Sequence, residues 1–424
     1  MNNKIKAAVA GAVLASASVA NAGITWDAGE WTVDMNGNVN AFAIFSDSKD
    51  TTGAEGGLAA PQGANEDSDS ASISTGLLPA WLGFTATTRQ NDIDTSVTIS
   101  FQPGMGGNAA LQGGGNTENR QAFLTFGDKS WGSVKMGKDL GIFGSTAILN
   151  DMTLLGVGAT GGTVGNGTGA GQANGGTTTT LGGIGTGYLY ADWKGQFAYT
   201  TPNMNGFVAT VGITQPWNAT STNDGGGAAA VNSSATSAGT TDQPAFEAQA
   251  SYSWTGDFAG KAWVGAFFQD VTGLSTGVAN VTTDTDAQSY EAGIAATVMN
   301  IGLTGYYYSG EGVGTTGMLL NGFDATGSSR DSDGGYVQAT YVIPMGTKLG
   351  VSYGISKLDD NASDQALGTN LVKENNRFTI GAYHPLTKHL NLVAEFSAVE
   401  SESHLATQAD AKQDIFSVGA ILFF

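Results

Sequence analysis

The chain of 424 residues contains no cysteine, only eight prolines and only 13% charged residues. The lack of cysteine excludes disulfides, a thiol nucleophile and a lipidated N-terminal cysteine. No run of about 18 or more uninterrupted apolar residues occurs, so no membrane-spanning helix is expected. Basic residues are also scarce, with 17 Lys and Arg against 37 Asp and Glu. We therefore expect no nucleic-acid partner, because phosphate contacts need clusters of Lys and Arg.

Histidine is rare too, and its positions do not suggest a catalytic site. His384 and His389 flank a predicted turn, and His404 falls in a predicted loop. A Ser-His-Asp set that faces one point is not expected from such positions. The sequence also lacks the spacing of zinc ligands and a phosphate-binding loop motif. We expect a protein that is not an enzyme and that binds no metal and no cofactor.

The first 22 residues have the pattern of a cleaved signal peptide. Lys4 and Lys6 precede an apolar stretch over 7–19, and Ala-Asn-Ala at 20–22 is a small-x-small cleavage site. The apolar stretch is too short to cross roughly 30 Å of hydrocarbon as a helix. We predict that residues 1–22 are removed on export and that residues 23–424 form a single domain.

Glycine is abundant, with 64 residues, and many segments between glycines alternate apolar and polar side chains. From Phe246 to Trp254, every second side chain is apolar and those between are polar. Segments of about 9 to 12 residues with this period suit tilted strands with one face toward lipid and the other toward water. We predict sixteen such strands, near residues 31–46, 80–90, 93–103, 118–127, 131–138, 189–201, 206–215, 244–254, 261–270, 288–299, 301–310, 334–343, 348–357, 375–384, 389–400 and 412–424.

The connections between these strands are alternately short and long. Short links, such as 91–92 and 299–300, alternate with long polar ones, such as 139–188. Short periplasmic turns and long extracellular loops are typical of an outer-membrane barrel, whereas the alternative, a soluble β-sandwich or β-solenoid, gives no reason for strict alternation. The sequence therefore predicts an all-β fold, a transmembrane antiparallel β-barrel of about 16 strands. Aromatic residues at the predicted periplasmic strand ends are candidates for an interfacial girdle: Trp31, Trp81, Trp131, Trp254 and Phe424.

Several segments resemble the trimeric general porins of Gram-negative bacteria. The best stretch, NRQAFLTFGDKSWGSVKMGK from Asn119 to Lys138, is similar to the paired strands that end in Gly-Arg before the third loop of that family. FAYTTPNMNGF at 197–207 and GAYHPLTKHLNLVAEFS at 381–397 resemble two of its hairpins, and SVGAILFF resembles its last strand, which ends in Phe. The layout of nearly the whole chain is similar as well.

The resemblance implies a homotrimer of water-filled barrels in the outer membrane, in contact with lipid and lipopolysaccharide. It also implies that the third loop, at 139–188, folds inward and narrows the pore, with acids on the loop facing bases on the wall. Phe424 would close the last strand and would be the address that the outer-membrane assembly machinery reads. Small hydrophilic solutes would then cross by passive diffusion.

The candidate constriction residues come from the start of the third loop. Lys138 stands where the family has the arginine of its Gly-Arg, and Lys135 has the parity of the polar face. Asp139 and Asp151 are the only acids in the predicted loop, so neutral groups and backbone are expected to line much of it. Arg120 has outward parity unless the strand is bulged, and it is expected at a rim or subunit contact. Parity predicts further lumen-wall charges at Asp94, Glu247, Glu291 and Glu395 against Arg89, Lys135, Lys261, Lys348 and Arg377.

These features predict a diffusion channel with a weak preference for cations, because rings of charge influence permeation and acids are in excess. Each wall charge has an alternative interpretation as a merely solvated position. Two other functions stay open, namely a channel with a dedicated solute and a surface barrel that mainly binds other proteins. A dedicated sugar channel would be expected to show an aromatic ladder, which is not visible in the sequence. Acids in the external loops are expected to be solvated, with divalent-cation bridging as the alternative: Glu66, Asp67, Asp69, Asp359, Asp360 and Asp364.

Overall fold

The computed structural model describes residues 23–49, 53–59, 68–104, 117–160, 179–219, 242–275, 282–317, 319–324 and 326–424. The predicted signal peptide (1–22), Glu66, Asp67 and the middle of the predicted constriction loop lie outside these residues. The strands are β1 (Ile24–Ala28), β2 (Trp31–Lys49), β3 (Ser68–Ser74), β4 (Trp81–Gln90), β5 (Ile93–Pro103), β6 (Thr117–Glu118), β7 (Ala122–Asp128), β8 (Gly132–Leu140), β9 (Trp193–Thr200), β10 (Phe207–Thr214), β11 (Ala245–Trp254), β12 (Phe258–Ser275), β13 (Thr282–Val298), β14 (Ile301–Glu311), β15 (Asp331–Val342), β16 (Lys348–Leu358), β17 (Val372–Pro385), β18 (Leu390–Ser403) and β19 (Ala411–Phe423).

Two short helices, α1 (Ser145–Asn150) and α2 (Ala362–Leu367), lie in the connections, together with a 3₁₀ turn at Met152–Leu155. Within the ranges given above, no helix is long and apolar enough to cross a membrane.

Sixteen of the described strands form one closed antiparallel barrel. The long strands pair with their neighbours in sequence, and the ring closes where β19 pairs with β2 from Lys412 opposite Lys49 to Phe423 opposite Asn38. The three short strands, β1, β3 and β6, extend the pairing along β2 and β5. Closure satisfies backbone groups that an open sheet edge would leave unpaired in a bilayer. The barrel predicted from the sequence is confirmed.

The predicted strand limits agree best where the alternation is regular. The strand predicted at 93–103 is Ile93–Pro103, and the one predicted at 301–310 is Ile301–Glu311. The strand predicted at 118–127 is instead divided into β6 and β7. At the division the backbone N–H of Arg120 donates to the Gln102 side chain (2.9 Å). A side-chain acceptor there replaces a partner from the strand ladder.

Side chains alternate between the two faces of the barrel wall, and the outer row is apolar. In β19 the exposed Phe416 and Leu422 face outward, whereas Ser417 and Ile421 are buried on the inner face. An apolar outer row suits lipid, where an outward charge at the bilayer centre costs about 2–4 kcal/mol.

The barrel seam ends at the carboxyl terminus. Gly37 donates its N–H to the carbonyl of Phe424 (2.9 Å), and Phe424 donates its N–H to the carbonyl of Gly37 (3.0 Å). This reciprocal pair continues the ladder between β19 and β2 by one residue. The role of Phe424 in assembly stays a prediction.

The connection between β8 and β9 occupies the barrel interior. Its described residues, 141–160 and 179–192, are mostly buried and contribute apolar side chains such as Phe143, Met152 and Leu189. These side chains pack with inward-facing aromatic residues of the wall in one hydrophobic cluster. The third long connection therefore folds inward.

Candidate channel constriction

The inward loop leaves β8 beside Glu247 of β11, which is fully buried. Glu247 Oε2 accepts hydrogen bonds from the backbone N–H groups of Ile142 (2.7 Å) and Phe143 (2.8 Å). Its other oxygen accepts from the Thr214 hydroxyl (3.0 Å) and forms an ion pair with Lys194. One carboxylate thus accepts from two loop amides and balances the charge of a buried ammonium, each of which would be costly if left unpaired.

A second glutamate holds the start of helix α1. Glu291 of β13 accepts from the Gly144 N–H (3.1 Å) and from the Tyr306 hydroxyl (2.9 Å). Gly144 has a φ of 76°, a left-handed conformation that favours glycine. On the next turn of the loop, Tyr336 donates to the carbonyl of Ala147 (2.8 Å). Gln338 donates to the carbonyl of Asn150 (2.6 Å), so the short helix is bound to the wall at both ends.

A third glutamate holds the loop after the 3₁₀ turn. Glu395 of β18 accepts from the N–H groups of Val157 (2.7 Å) and Gly158 (2.9 Å), and its other oxygen accepts from Tyr383 (2.6 Å). A Cβ at Gly156 would lie 1.9 Å from this carboxylate. Only glycine allows so close an approach of backbone and carboxylate.

These anchors define the path of the loop. Between the second and third glutamates, Gln338 of β15 accepts from the Met152 N–H (2.9 Å). The anchors on β11, β13, β15 and β18 follow one another around the ring. The loop therefore lies along the inner face of strands β11–β18, which we call the anchoring wall.

Arg377 of β17 and Asp151 of the loop meet in a buried polar cluster. The two side chains are each 1% exposed, and Arg377 Nη2 lies 3.8 Å from an Asp151 oxygen. Arg377 also donates to the hydroxyls of Thr186 (3.2 Å) and Thr379 (2.8 Å). Tyr188 donates to Asp151 (2.8 Å). Burial, and then the Asp151 charge, raise the pKa of Tyr188 well above its usual value, so the phenol keeps the proton that it donates.

At the root of the loop the structure separates the predicted residues. Asp139 is buried, accepts from Gln121 Nε2 (2.7 Å) and forms an ion pair with Lys135. Lys138 lies opposite Ala122 on the outer face and is exposed there. The expectation that Lys138 faces the pore is wrong, because residues three apart on a strand point to opposite faces. Lys135 and Lys138 cannot both line the constriction.

Arg89 and Asp94 lie at the periplasmic ends of β4 and β5, not beside the loop. Trp81 begins β4 at the opposite end, so the expectation that it belongs to a periplasmic girdle is wrong. Arg89 is 44% exposed and donates to Asp94 (2.7 Å) and to Asp128 (3.0 Å). The cluster therefore belongs to the periplasmic rim of the inner wall. Exposed ion pairs of this kind contribute about 0–1 kcal/mol.

The outward orientation expected for Arg120 in an unbulged strand is also wrong. Arg120 is only 9% exposed, and its guanidinium lies 5.9 Å from the centre of the Trp193 ring. Its side chain is paired with Glu118 (2.8 Å). The parity of β7 does not apply here because the strand ladder is interrupted between β6 and β7.

The inner face of β2, β4, β5 and β7 differs from the anchoring wall, and we call it the neutral wall. Thr85 and Thr98 share a hydrogen bond of 3.0 Å, and Ser96 and Thr125 share one of 2.5 Å. Its charged residues Asp34, Arg89 and Asp94 lie toward the periplasmic end. The other inward residues include Asn36, Asn38, Asn40, Ser46, Thr85, Thr87, Ser96, Thr98, Ser100, Gln102 and Thr125.

An aromatic cluster joins the loop to the anchoring wall. Ring centroids are 6.3 Å apart for Trp263 and Tyr306, 5.7 Å for Tyr306 and Tyr336, and 5.7 Å for Tyr336 and Tyr188. None of these side chains is more than 5% exposed. The rings therefore pack the loop and do not form a solvent-exposed ladder. Phe268, by contrast, is 43% exposed on the outer face.

Sequence reasoning missed two of the anchoring residues. Lys194 is 4% exposed, and its ammonium lies 3.6 Å from the centre of the Trp217 ring. Its parity with Gln196 in β9 placed it on the polar face, so alternation carried a signal for it. Gln338 carried the same signal, because it shares the parity of Tyr336 in β15, but its role was hidden since its partner Met152 is 186 residues away in the chain.

The model of the Gram-negative porin family matches residues 7–404 of the chain. The chain belongs to the Gram-negative porin family. Solved structures with the same fold include the outer membrane channel DcaP of Acinetobacter baumannii, with 15% identity, a TM-score of 0.67 and coverage of 95% of this chain and 100% of that one. The anion-selective porin from Comamonas acidovorans has 14% identity and a TM-score of 0.60 over 93% and 100% of the two chains. OmpT of Vibrio cholerae, in a trimer form, has 14% identity and a TM-score of 0.54 over 93% and 100%.

No curated protein sequence matches this porin significantly. The family and the closed barrel make the porin an outer-membrane channel for solute diffusion. The family and the location that the sequence predicted are confirmed. The family and the fold are those of a channel rather than of an enzyme.

Proposed function

We propose that this porin is a passive diffusion channel for small hydrophilic solutes, narrowed by the loop at 139–188. The observation that carries the proposal is the attachment of this loop. Glu247, Glu291 and Glu395 are all buried, and each accepts hydrogen bonds from loop backbone. A loop held at several points around the wall keeps the cross-section of the lumen constant, which suits unassisted diffusion.

The route of the solutes follows from where the loop lies. Because the loop covers the anchoring wall, we infer that solutes pass along the neutral wall. Hydroxyl and amide groups exchange hydrogen bonds with water and with uncharged solutes and do not trap an ion as a buried charge would. The half-buried Asn36 and Thr87 are the side chains that we expect solutes to meet on the periplasmic side of the loop.

A weak preference for cations completes the proposal. Removal of Lys4 and Lys6 with the signal peptide leaves 15 basic against 37 acidic residues. The glutamates that hold the loop are engaged with backbone N–H groups, so we attribute the preference to acids at the channel mouths. Glu311, Asp331 and Asp359 lie close enough to interact at the extracellular end. Charge of one sign at a mouth raises the local concentration of counter-ions.

Recording single channels in planar bilayers tests the proposal. We expect a current that is linear in voltage and is not blocked by any one solute, with a reversal potential under a KCl gradient shifted mildly toward that of potassium. Saturation or block by one solute would instead support a dedicated channel. A correctly folded barrel with no conductance would support a surface interaction protein.

We also propose a homotrimer in contact with outer-membrane lipid and lipopolysaccharide. The resemblance of the sequence to trimeric porins supports it, as does the trimer form of OmpT among the structures with the same fold. Native mass spectrometry of the detergent-extracted porin should give the mass of three chains. Deletion of Phe424 should lower the amount of assembled barrel in the outer membrane, if the assembly machinery reads this residue.

A further inference from the structure

The periplasmic turns share a feature that neither barrel closure nor the anchored loop requires. Each of the seven turns, all within the described ranges, carries a large apolar side chain that is at least 39% exposed. Met299 is 90% exposed and Met345 is 70% exposed. One such residue from each turn or its edge forms the set that we call the turn-tip residues: Ile93, Trp131, Met204, Phe258, Met299, Met345 and Leu386.

The extracellular connections do not expose apolar side chains in this way. Apart from Ile73, which is 68% exposed in the short strand β3 that pairs with β2, Leu367, at 56%, is the only large apolar side chain of comparable exposure among their described residues. Leu58, Leu319 and Leu371 in the same connections are completely buried. Exposure of large apolar residues is therefore a property of the periplasmic end of this barrel and not of its connections in general.

The turn-tip residues continue the outer, lipid-facing surface. Phe258 lies 6.0 Å from the Trp254 ring, and Trp131 lies 6.3 Å from the ring of the outward-facing Phe126. Ile93 has the parity of Val97, which faces outward on β5. At these three turns the apolar band does not stop where the strands end but extends over the turn.

We propose that the turn-tip residues insert into the boundary between headgroups and acyl chains of the periplasmic leaflet and set the depth of the barrel. Their distribution favours lipid as the occupant, because they occur at every turn around the ring. A bilayer surrounds the barrel on all sides, whereas a periplasmic protein or a second subunit would cover one sector. This inference concerns the lipid contact and goes beyond the proposed permeation function.

The chemistry of the tips supports the same occupant. Met299, Met345 and Leu386 have no donor or acceptor comparable to those that keep Trp and Tyr at the wet edge of an interface. Exposed to water, such residues would be an association surface on every side of the barrel. Asp257, which precedes Phe258, and Lys388, two residues after Leu386, are polar and exposed on the same rim.

Single cysteines test the proposal directly, because the chain contains no cysteine of its own. We would label M299C, M345C and L386C with an environment-sensitive fluorophore in vesicles of phosphatidylethanolamine and phosphatidylglycerol. D257C and K388C provide matched controls on the same rim. We expect spin-labelled lipids to quench the three tip positions several-fold more than the controls, and aqueous iodide to quench the controls more than the tips.

Two results would overturn the proposal. Equal quenching of tips and controls by iodide would place the tips in water. Protection of the tips from both quenchers would show that protein, and not lipid, covers them. The shift of the folded barrel on a gel run without heating verifies that each variant has folded before it is compared. A triple variant, M299D/M345D/L386D, should fold in detergent and should insert into vesicles less efficiently than a triple Leu variant.

Discussion

The anchoring wall and the neutral wall use polar side chains in different ways. On the anchoring wall, Glu247, Glu291 and Glu395 accept hydrogen bonds from the backbone of the inward loop. On the neutral wall, hydroxyls bond to each other, as Thr85 does to Thr98. The carboxylates are fixed by the amides that they satisfy, whereas a hydroxyl pair loses little when water replaces one partner. The comparison teaches that a charge on a lumen wall is no guide to ion selectivity until its partner is known.

Removing Glu247 should have the largest effect. In Glu247→Ala, Lys194 stays buried without its counter-charge and two loop amides lose their acceptor. We expect the free energy of unfolding to fall by about 3–5 kcal/mol. Urea unfolding in lipid vesicles, followed by the gel shift of the folded barrel, measures it. Thr98→Val on the neutral wall is the control, with an expected loss of about 1 kcal/mol. Equal losses would remove the distinction between the walls.

A matched pair at Glu395 separates charge from hydrogen bonding. Glu395→Gln keeps an oxygen for the N–H groups of Val157 and Gly158, whereas Glu395→Ala leaves both without an acceptor. We expect Glu395→Gln to lower the free energy of unfolding by about 1 kcal/mol. Glu395→Ala should lower it by about 1–3 kcal/mol for each N–H group left unpaired. Single-channel recordings should show a noisier open level for Ala only. The anchoring role would fail if both variants kept the wild-type open level and stability.

A charge introduced on the neutral wall should change ion selectivity, whereas reversing a charge on the outer face should not. Thr87→Lys places a cation on the half-buried inner face of β4 and should move the reversal potential under a KCl gradient toward that of chloride. Lys138→Glu, on the outer face, should leave the reversal potential unchanged. A shift for Lys138→Glu as large as that for Thr87→Lys would mean that the outer face influences permeation.

The smallest effect is expected outside the membrane, at a buried ion pair between two extracellular loops. Arg330 donates to Asp364 at the N-terminal turn of α2 (2.7 and 2.8 Å). Burial alone would raise the pKa of Asp364, but the hydrogen bonds and charge of Arg330 outweigh it and hold the pKa below its usual range. The pair therefore stabilises the loops above the unfolded pKa of about 3.9, and this contribution is lost as the pH falls through the lower folded pKa.

Hydrogen exchange of residues 359–371 between pH 6 and pH 2 checks this dependence. Protection of the wild-type loop should decrease below about pH 4, where the unfolded carboxyl begins to bind protons. Asp364→Asn should show lower protection with no such step. If protection of the wild-type loop varies with pH in the same way as protection of the Asp364→Asn loop, Asp364 does not titrate against Arg330.

The barrel was predictable because its strands repeat one local rule. Alternation places Glu247, Glu291, Glu395 and Arg377 inside from their own neighbours, without knowledge of the rest of the chain. Their task was not predictable, since the glutamates contact loop backbone, and Arg377 contacts loop side chains, more than 100 residues away in sequence. A long-range partner is set by the path of a loop, and local periodicity contains nothing about that path.

Lys138 shows how resemblance and parity can conflict. Its place in a family motif suggested a pore-lining role. However, Lys138 is three residues from Lys135 in one strand, so one of these two lysines has to lie on the outer face of the barrel. Arg120 shows the converse, because its parity was sound only for an unbroken strand. Side chains alternate between the two faces of a strand only while the backbone ladder is continuous. The alternation fails where a side chain such as Gln102 accepts the backbone hydrogen bond instead.

The reciprocal bonds between Phe424 and Gly37 have a practical consequence for handling the protein. Residues appended after Phe424 would run along the edge of β2 where β1 is already paired, with Ile24 opposite Met35. A purification tag at the carboxyl terminus would therefore compete with β1. The extracellular connection between β18 and β19, where Ala406, Thr407, Ala409 and Asp410 are exposed, is a better place for such a tag.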